Sequence, residues 1–171
     1  MDRSGANFLR VVNMIRERLS ANAVPVQLPI GEEDKFKGVI DLIEMKAIYY
    51  YDEMGLAMEV TDIPEEFLEQ SLRQREILLE NLAELDDTIM GKYLEGEEIT
   101  KEEIINALRR NTIDNKIIPV LCGTSYKNKG IQPLLDAIVD FLPSPLDIPP
   151  VEGINPLTQQ KEYRETSSTA P

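Results

Sequence analysis

The run Cys122-Gly123-Thr124-Ser125 is the part of this 171-residue sequence best suited to holding a ligand. It follows an apolar stretch of strand type, and α/β folds place ligands at the carboxyl ends of strands. Gly123, Thr124 and Ser125 are small, so a ligand can come close to backbone N–H groups. The same residues suit a plain strand-to-helix connection, and residue type alone does not separate the two. Asp2, read by itself, is a solvated acid near the chain start. Cys122 suits a small core residue at a strand end. Tyr49-Tyr50-Tyr51 suits sheet packing, because aromatic platforms for nucleic acid come with basic residues and this stretch is acidic.

Several chemistries are excluded outright. The sequence has no histidine, so imidazole catalysis and His-ligated zinc are not available to it. A single cysteine rules out an internal disulfide or a cysteine-cluster metal site and fits a reducing compartment. No GxxxxGK[ST] phosphate loop, nucleophile elbow or calcium-loop spacing occurs. No residue is therefore assigned a catalytic role, and none is assigned to a metal. No apolar run approaches the length of a membrane span, and the first residues lack the pattern of a signal peptide.

The net charge of −13 disfavours binding to DNA or an anionic membrane by the surface as a whole. Residues 31–105 hold 22 of the 31 Asp and Glu and 7 of the 18 Lys and Arg, a local net of −15. The rest of the chain is close to neutral. An acidic middle of this kind is either a solvated helical surface or a docking face for a basic partner.

The elements that must position these residues follow from periodicity. Ser4 is the expected cap of a helix to about Ser20, with Phe8, Val11, Val12, Ile15 and Leu19 on one face. Val24–Ile30 reads as an edge strand, given its two prolines. Lys37–Ile43, Lys46–Tyr51 and Ala57–Val60 read as a meander, with Gly55 in the last turn. Pro64 opens a long helical stretch, capped by Asp62 or Ile63, that runs to about Leu94 with a break near Leu85–Thr88. Its expected apolar face includes Leu68, Leu72, Leu78 and Leu82. Thr100 and Glu103 form a capping box, and Ile99 with Ile104 a hydrophobic staple, for a helix to about Asn111. Lys116–Leu121 reads as a strand buried on both faces. Ile131–Leu142 reads as a helix with Leu134, Leu135, Ile138, Val139 and Leu142 inward. From Pro143 onward the composition is that of a linker.

Three longer blocks carry a family resemblance. They are MDRSGANFLRVVNMI at the start, FKGVIDLIEMKAIYY in the middle, and IIPVLCGTSYKNKGIQPLLDAIVDFLPSP followed by PVEGINP near the end. Together they resemble bacterial elongation factor G, the GTPase family that promotes ribosomal translocation, over essentially the whole chain. The resemblance implies an α/β fold: the C-terminal part of a P-loop GTPase-type doubly wound domain with an inserted α+β subdomain. Residues 1–29 and 116–143 would belong to the GTPase domain, 30–115 to the insert, and 144–171 to a linker toward a missing following domain.

The resemblance also implies site residues. Met1 and Asp2 align with the end of the family's Asn-Lys-x-Asp guanine motif, so Asp2 would accept from the guanine edge. Thr124-Ser125 stand where the family has a Ser-Ala pair, with Lys127 in support. The ligand would be GTP or GDP, and Mg²⁺ would be held only through segments absent from this sequence. The ribosome and its stalk protein would be partners, with Glu65, Glu66, Glu69 and Glu76 as candidate docking acids, and the location would be cytoplasmic. Lacking a phosphate loop and switches, the chain alone is expected to be inactive toward GTP. The competing expectation is a free-standing acidic protein-binding module without a nucleotide role. A GTPase piece without its neighbouring strands is also expected to expose apolar patches.

Overall fold

The computed structural model describes residues 1–52, 54–147, 149–164 and 166–167. It is a mixed α/β structure in two compact units, Met1–Phe141 and Leu142–Pro171.

Helix α1 spans Phe8–Leu19. Its cap is Asn7, not Ser4: the Asn7 side chain accepts from the Arg10 N–H at 2.9 Å, satisfying one orphan donor of the first turn. Phe8 and Val12 are buried, whereas Val11 and Leu19 of the expected stripe are exposed.

The expected strand over Val24–Ile30 is two strands in two sheets. Strand β1 (Ala23–Pro25) pairs in parallel with β6 (Ile118–Val120), Val24 opposite Pro119. Strand β2 (Gln27–Ile30) is the edge of an antiparallel sheet ordered β2-β3-β4-β5. Val26 is the crossing point. Its N–H donates to Val120 at 3.1 Å on the parallel side, and its carbonyl accepts from Leu42 at 3.1 Å on the antiparallel side. One residue thus satisfies two sheets, and both of its backbone groups are paired there.

Strands β3 (Gly38–Asp41), β4 (Lys46–Tyr50) and β5 (Met58–Asp62) complete the meander. Asp41 turns the chain from β3 to β4, its Oδ1 accepting from the N–H groups of Ile43 (2.7 Å) and Glu44 (3.0 Å). Alternation divides the sheet. Leu28, Ile40, Ala47 and Tyr49 share one face; Gln27, Asp41, Lys46, Ile48 and Val60 share the other.

The helical stretch after Pro64 breaks where the composition suggests. Helix α2 covers Glu65–Ala83 and α3 covers Asp87–Glu95, with Asp86 capping α3 through bonds to Thr88 (3.1 Å) and Ile89 (3.2 Å). Pro64 itself stands at the cap position of α2, so neither Asp62 nor Ile63 caps it. The Arg75 guanidinium of α2 donates to the carbonyls of Leu42 and Ile43 just past the end of β3. Leu78 and Leu82 are fully buried, but Leu68 and Leu72 are exposed rather than core.

Helix α4 (Lys101–Ile113) starts with the expected capping box. Thr100 N–H donates to the Glu103 carboxylate at 2.9 Å, and Ile99 and Ile104 are buried beside it. Burying a side chain such as Leu78, Leu82 or Leu108 stabilises the fold by roughly 1.5–3 kcal/mol each.

Strand β6 and helix α5 differ from the expected pattern. Strand β6 is not buried on both faces, since Ile118 is exposed. Helix α5 (Ile131–Phe141) turns Ala137 and Phe141 inward, while Leu134, Leu135, Ile138 and Val139 are exposed, as is Leu142 beyond its end. The physical reason is shared: among the described residues the parallel sheet has only β1 and β6, and no further strand covers that side. The tail is more than linker. Strands β7 (Val151–Ile154) and β8 (Lys161–Arg164) form an antiparallel hairpin, its turn held by Asn155, which accepts from Leu157 and Thr158. Among the described residues, no helix is long and apolar enough to cross a membrane.

Candidate functional site

The loop after β6 is closed on itself by backbone. Thr124 N–H donates to Lys129 at 2.9 Å and Lys129 N–H returns to Thr124 at 3.1 Å, with Asn128 N–H on Ser125 at 3.2 Å. Gly123 and Gly130 make this closure possible. A Cβ on Gly123 would lie 2.7 Å from the Lys129 carbonyl oxygen. One on Gly130, where φ is +83°, would lie 2.7 Å from that of Cys122. The base of the loop is therefore two stretches of backbone in van der Waals contact.

The start of the chain seats against this loop. Met1 N donates to the Gly123 carbonyl at 2.6 Å, and the Met1 carbonyl accepts from Glu33 N–H at 3.0 Å. Asp2 is thereby held beside Thr124 and within electrostatic reach of Lys127. Its carboxyl is kept below the usual carboxylate range, first by the Thr124 hydroxyl and further by Lys127, against the opposing effect of burial. Thr124 Oγ1 is buried and closes no hydrogen bond of normal geometry, so it acts on Asp2 as a nearby dipole. The chain start and the Thr124–Ser125 loop, expected to meet, do meet across more than 120 positions of sequence.

Within the group the roles divide. Thr124 is buried, whereas Ser125 and Tyr126 are exposed. Among the described residues no backbone hydrogen bond uses the Ser125 N–H. The site thus offers a carboxylate acceptor, a free backbone donor and a cationic side chain at the carboxyl end of a parallel strand. Such a set recognises a planar group bearing adjacent donors and an acceptor. Tyr126, 89% exposed beside Ser125, adds a ring that residue type and spacing do not single out. Its place in a polar loop is the only signal the sequence carries for it. Cys122, directly before the loop, is buried, and burial pushes its thiol up to about 12. It is a packing residue. Among the described residues no group of three or more Cys, Asp or Glu side chains is placed to hold a metal ion.

The candidate docking acids lie on α2. Glu65, Glu66 and Glu69 are exposed in its first turns, and Leu68 and Leu72 are exposed among them. Glu76 differs from the other three. Its carboxylate accepts from the Tyr93 hydroxyl of α3 at 2.6 Å, and that bond leads the shift that pushes Tyr93 up to about 12. Glu76 therefore ties α2 to α3 and is not a free acid.

No family model matches the sequence. In fold, the chain is similar to the crystal structure of ttk003000868, a protein from Thermus thermophilus. The TM-score is 0.72 and the identity 30%, over 85% of this chain. The match spans 22% of the Thermus protein, so this chain corresponds to about a fifth of that protein's length.

Proposed function

We propose that this chain is the guanine-facing part of a translational GTPase of the elongation factor G type. In this reading β1, β6, α1 and α5 belong to the C-terminal part of a P-loop GTPase-type doubly wound domain. The antiparallel sheet with α2, α3 and α4 is its inserted subdomain. The observation that carries the reading is the seating of Asp2 against the Thr124–Lys127 loop. Guanine presents N1–H and N2–H₂ side by side, which one carboxylate accepts together, and an O6 that accepts from a backbone N–H such as that of Ser125; adenine presents neither pattern. Met1 would contribute packing and its backbone.

The whole protein would hydrolyse GTP and promote ribosomal translocation in the cytoplasm. Phosphoryl transfer depends on positioning the phosphates and Mg²⁺. The 171 residues contain no phosphate loop, so the chain alone holds the base and does not hydrolyse the nucleotide. The exposed stripe of Glu65, Glu69, Leu68 and Leu72 supports docking of a partner with lysines around an apolar patch, as expected of the ribosomal stalk protein's C-terminal domain.

The test is an NMR titration of the ¹⁵N-labelled chain with GDP and with ADP. The reading expects weak, guanine-selective shifts at Asp2 and Thr124–Lys127, abolished by Asp2→Asn. A parallel titration with the stalk domain should move α2. Equal responses to ADP and GDP would sink the guanine assignment. Tight GDP binding would sink the view that phosphate contacts are missing.

A further inference from the structure

A cleft of about 480 Å³ lies on the side of the antiparallel sheet away from α2, between that sheet, α5 and the start of α4. The volume suits a small organic molecule. It is separate from the Asp2–Thr124 site. Ile48 of the sheet and Ala137 of α5 give it an apolar wall, and the exposed Val60 and Val139 stand at its rim.

The polar groups of the cleft are unevenly matched. Lys46 is engaged by Asp62 at 2.7 Å, and Lys101 is paired with Glu44. Asp136 and Asp140, one turn apart on α5, line the cleft, and no ion pair among the described residues engages them. Asp41 presents its carboxylate from the sheet, with Oδ1 occupied by two backbone N–H groups. Gln27, opposite Asp41 in the strand register, is only 3% exposed, lines the cleft, and leaves its Oε1 buried with no hydrogen-bond partner. A buried acceptor left without a partner is unfavourable, and it is satisfied by a donor brought in from outside.

We propose that this cleft binds a small amphipathic amine, its ammonium donating to Gln27 Oε1 and its hydrocarbon lying along Ile48 and Val60. The acceptors outnumber the free cations, which selects a positive head group. The apolar wall beside them selects a hydrocarbon body over a bare polyamine. An ammonium donates to Gln27 and is matched in charge by Asp41, which faces Gln27 in the strand register; a neutral alcohol lacks that charge.

The test uses 4-phenylbutylammonium as probe against the ¹⁵N-labelled chain, with 4-phenylbutanol and methylammonium as controls. The expected result is saturable shifts at Gln27, Asp41, Ile48 and Val139, with the amine binding at least tenfold tighter than either control. Gln27→Leu, which removes the orphan acceptor, should weaken binding at least tenfold. Val60→Lys, on the exposed rim, should do the same by adding a cation and removing apolar wall, and it serves if Gln27→Leu disturbs the fold. Binding of the alcohol as tight as that of the amine overturns the proposal. So do shifts spread over the acids of α2, or no saturable change in the cleft.

Discussion

Replacing Gly55 by alanine should destabilise the protein by more than any ordinary turn substitution. Gly55 lies in the β4–β5 turn with φ +63°, and a Cβ there would stand 2.5 Å from the Asn128 carbonyl oxygen and 2.7 Å from that of Lys127. The turn is thus seated on the loop that carries Thr124 and Ser125, and Gln132 of α5 fastens it by donating to the Gly55 carbonyl at 3.1 Å. Two costs add. The left-handed conformation costs alanine roughly 1–2 kcal/mol, and forcing a methyl group into close-packed backbone costs about 1–3 kcal/mol more. Gly96 separates them: its φ is +68°, but a Cβ there meets nothing within 4 Å. Gly96→Ala therefore carries only the first cost. With a urea slope of about 2 kcal/mol/M, Gly96→Ala should lower the unfolding midpoint by about 0.5–1 M. Gly55→Ala should lower it by about 1–2.5 M, with displaced amide resonances at Thr124–Lys129. The assay is urea unfolding followed by circular dichroism, with an amide spectrum of each variant. Equal midpoints for the two variants, with the Thr124–Lys129 amides unmoved, would refute the close approach of turn and loop.

Acid should act through Asp86. Burial alone would raise its carboxyl, but Arg110, with the Ile89 and Thr88 N–H groups, outweighs that and holds it below 3.8. A depressed carboxylate stabilises the fold above its unfolded value, and that contribution is lost as pH falls through the folded one. Asp86→Asn should therefore lower stability near pH 7 and flatten the decline below about pH 4, read by thermal melts across pH. Cys122, buried and with its thiol pushed up to about 12, should resist iodoacetamide at about pH 8 until urea unfolds the chain. Brisk labelling of the native protein would contradict its packing role. Exposed Leu135 and Val139 on α5 form part of an apolar face of the kind that drives association. Sedimentation should show concentration-dependent self-association, relieved by Leu135→Glu with Val139→Glu at unchanged helix content.

Local features are legible in the sequence because their partners are near. The capping box needs only Thr100 and Glu103, and the break at Asp86 needs only the next three residues, so composition is sufficient. The crossing at Val26 is not legible. Its N–H answers to Val120 and its carbonyl to Leu42, and neither partner is visible in the string VPVQLPI. Ser4 has the right type for a cap, but Asn7 is equally good and stands one residue before the helix that forms.

Helix α5 carries a deeper reason. Periodicity identifies the richer apolar face, Leu134, Leu135 and Ile138, yet it is Ala137 and Phe141 that are buried. A pattern states which side of a helix seeks cover, not whether anything covers it. Burial belongs to a pair of surfaces, and among the described residues no strand or helix covers this face. Asp2 is the opposite case. By type and position it is a solvated acid, and only the resemblance of its surrounding block marks it otherwise. What changes its meaning is β6, whose parallel register with β1 delivers Thr124 and Lys127 to it from far along the chain. The chemistry of the site is therefore a product of the β1–β6 pairing. A variant that breaks that pairing, such as Val24→Asp in its buried centre, should disperse Asp2 from the loop even though no site residue is altered. The check is the amide spectrum, in which the Asp2 and Thr124–Lys127 resonances should collapse toward random-coil positions; if they stay in place, the pairing is not what assembles the site.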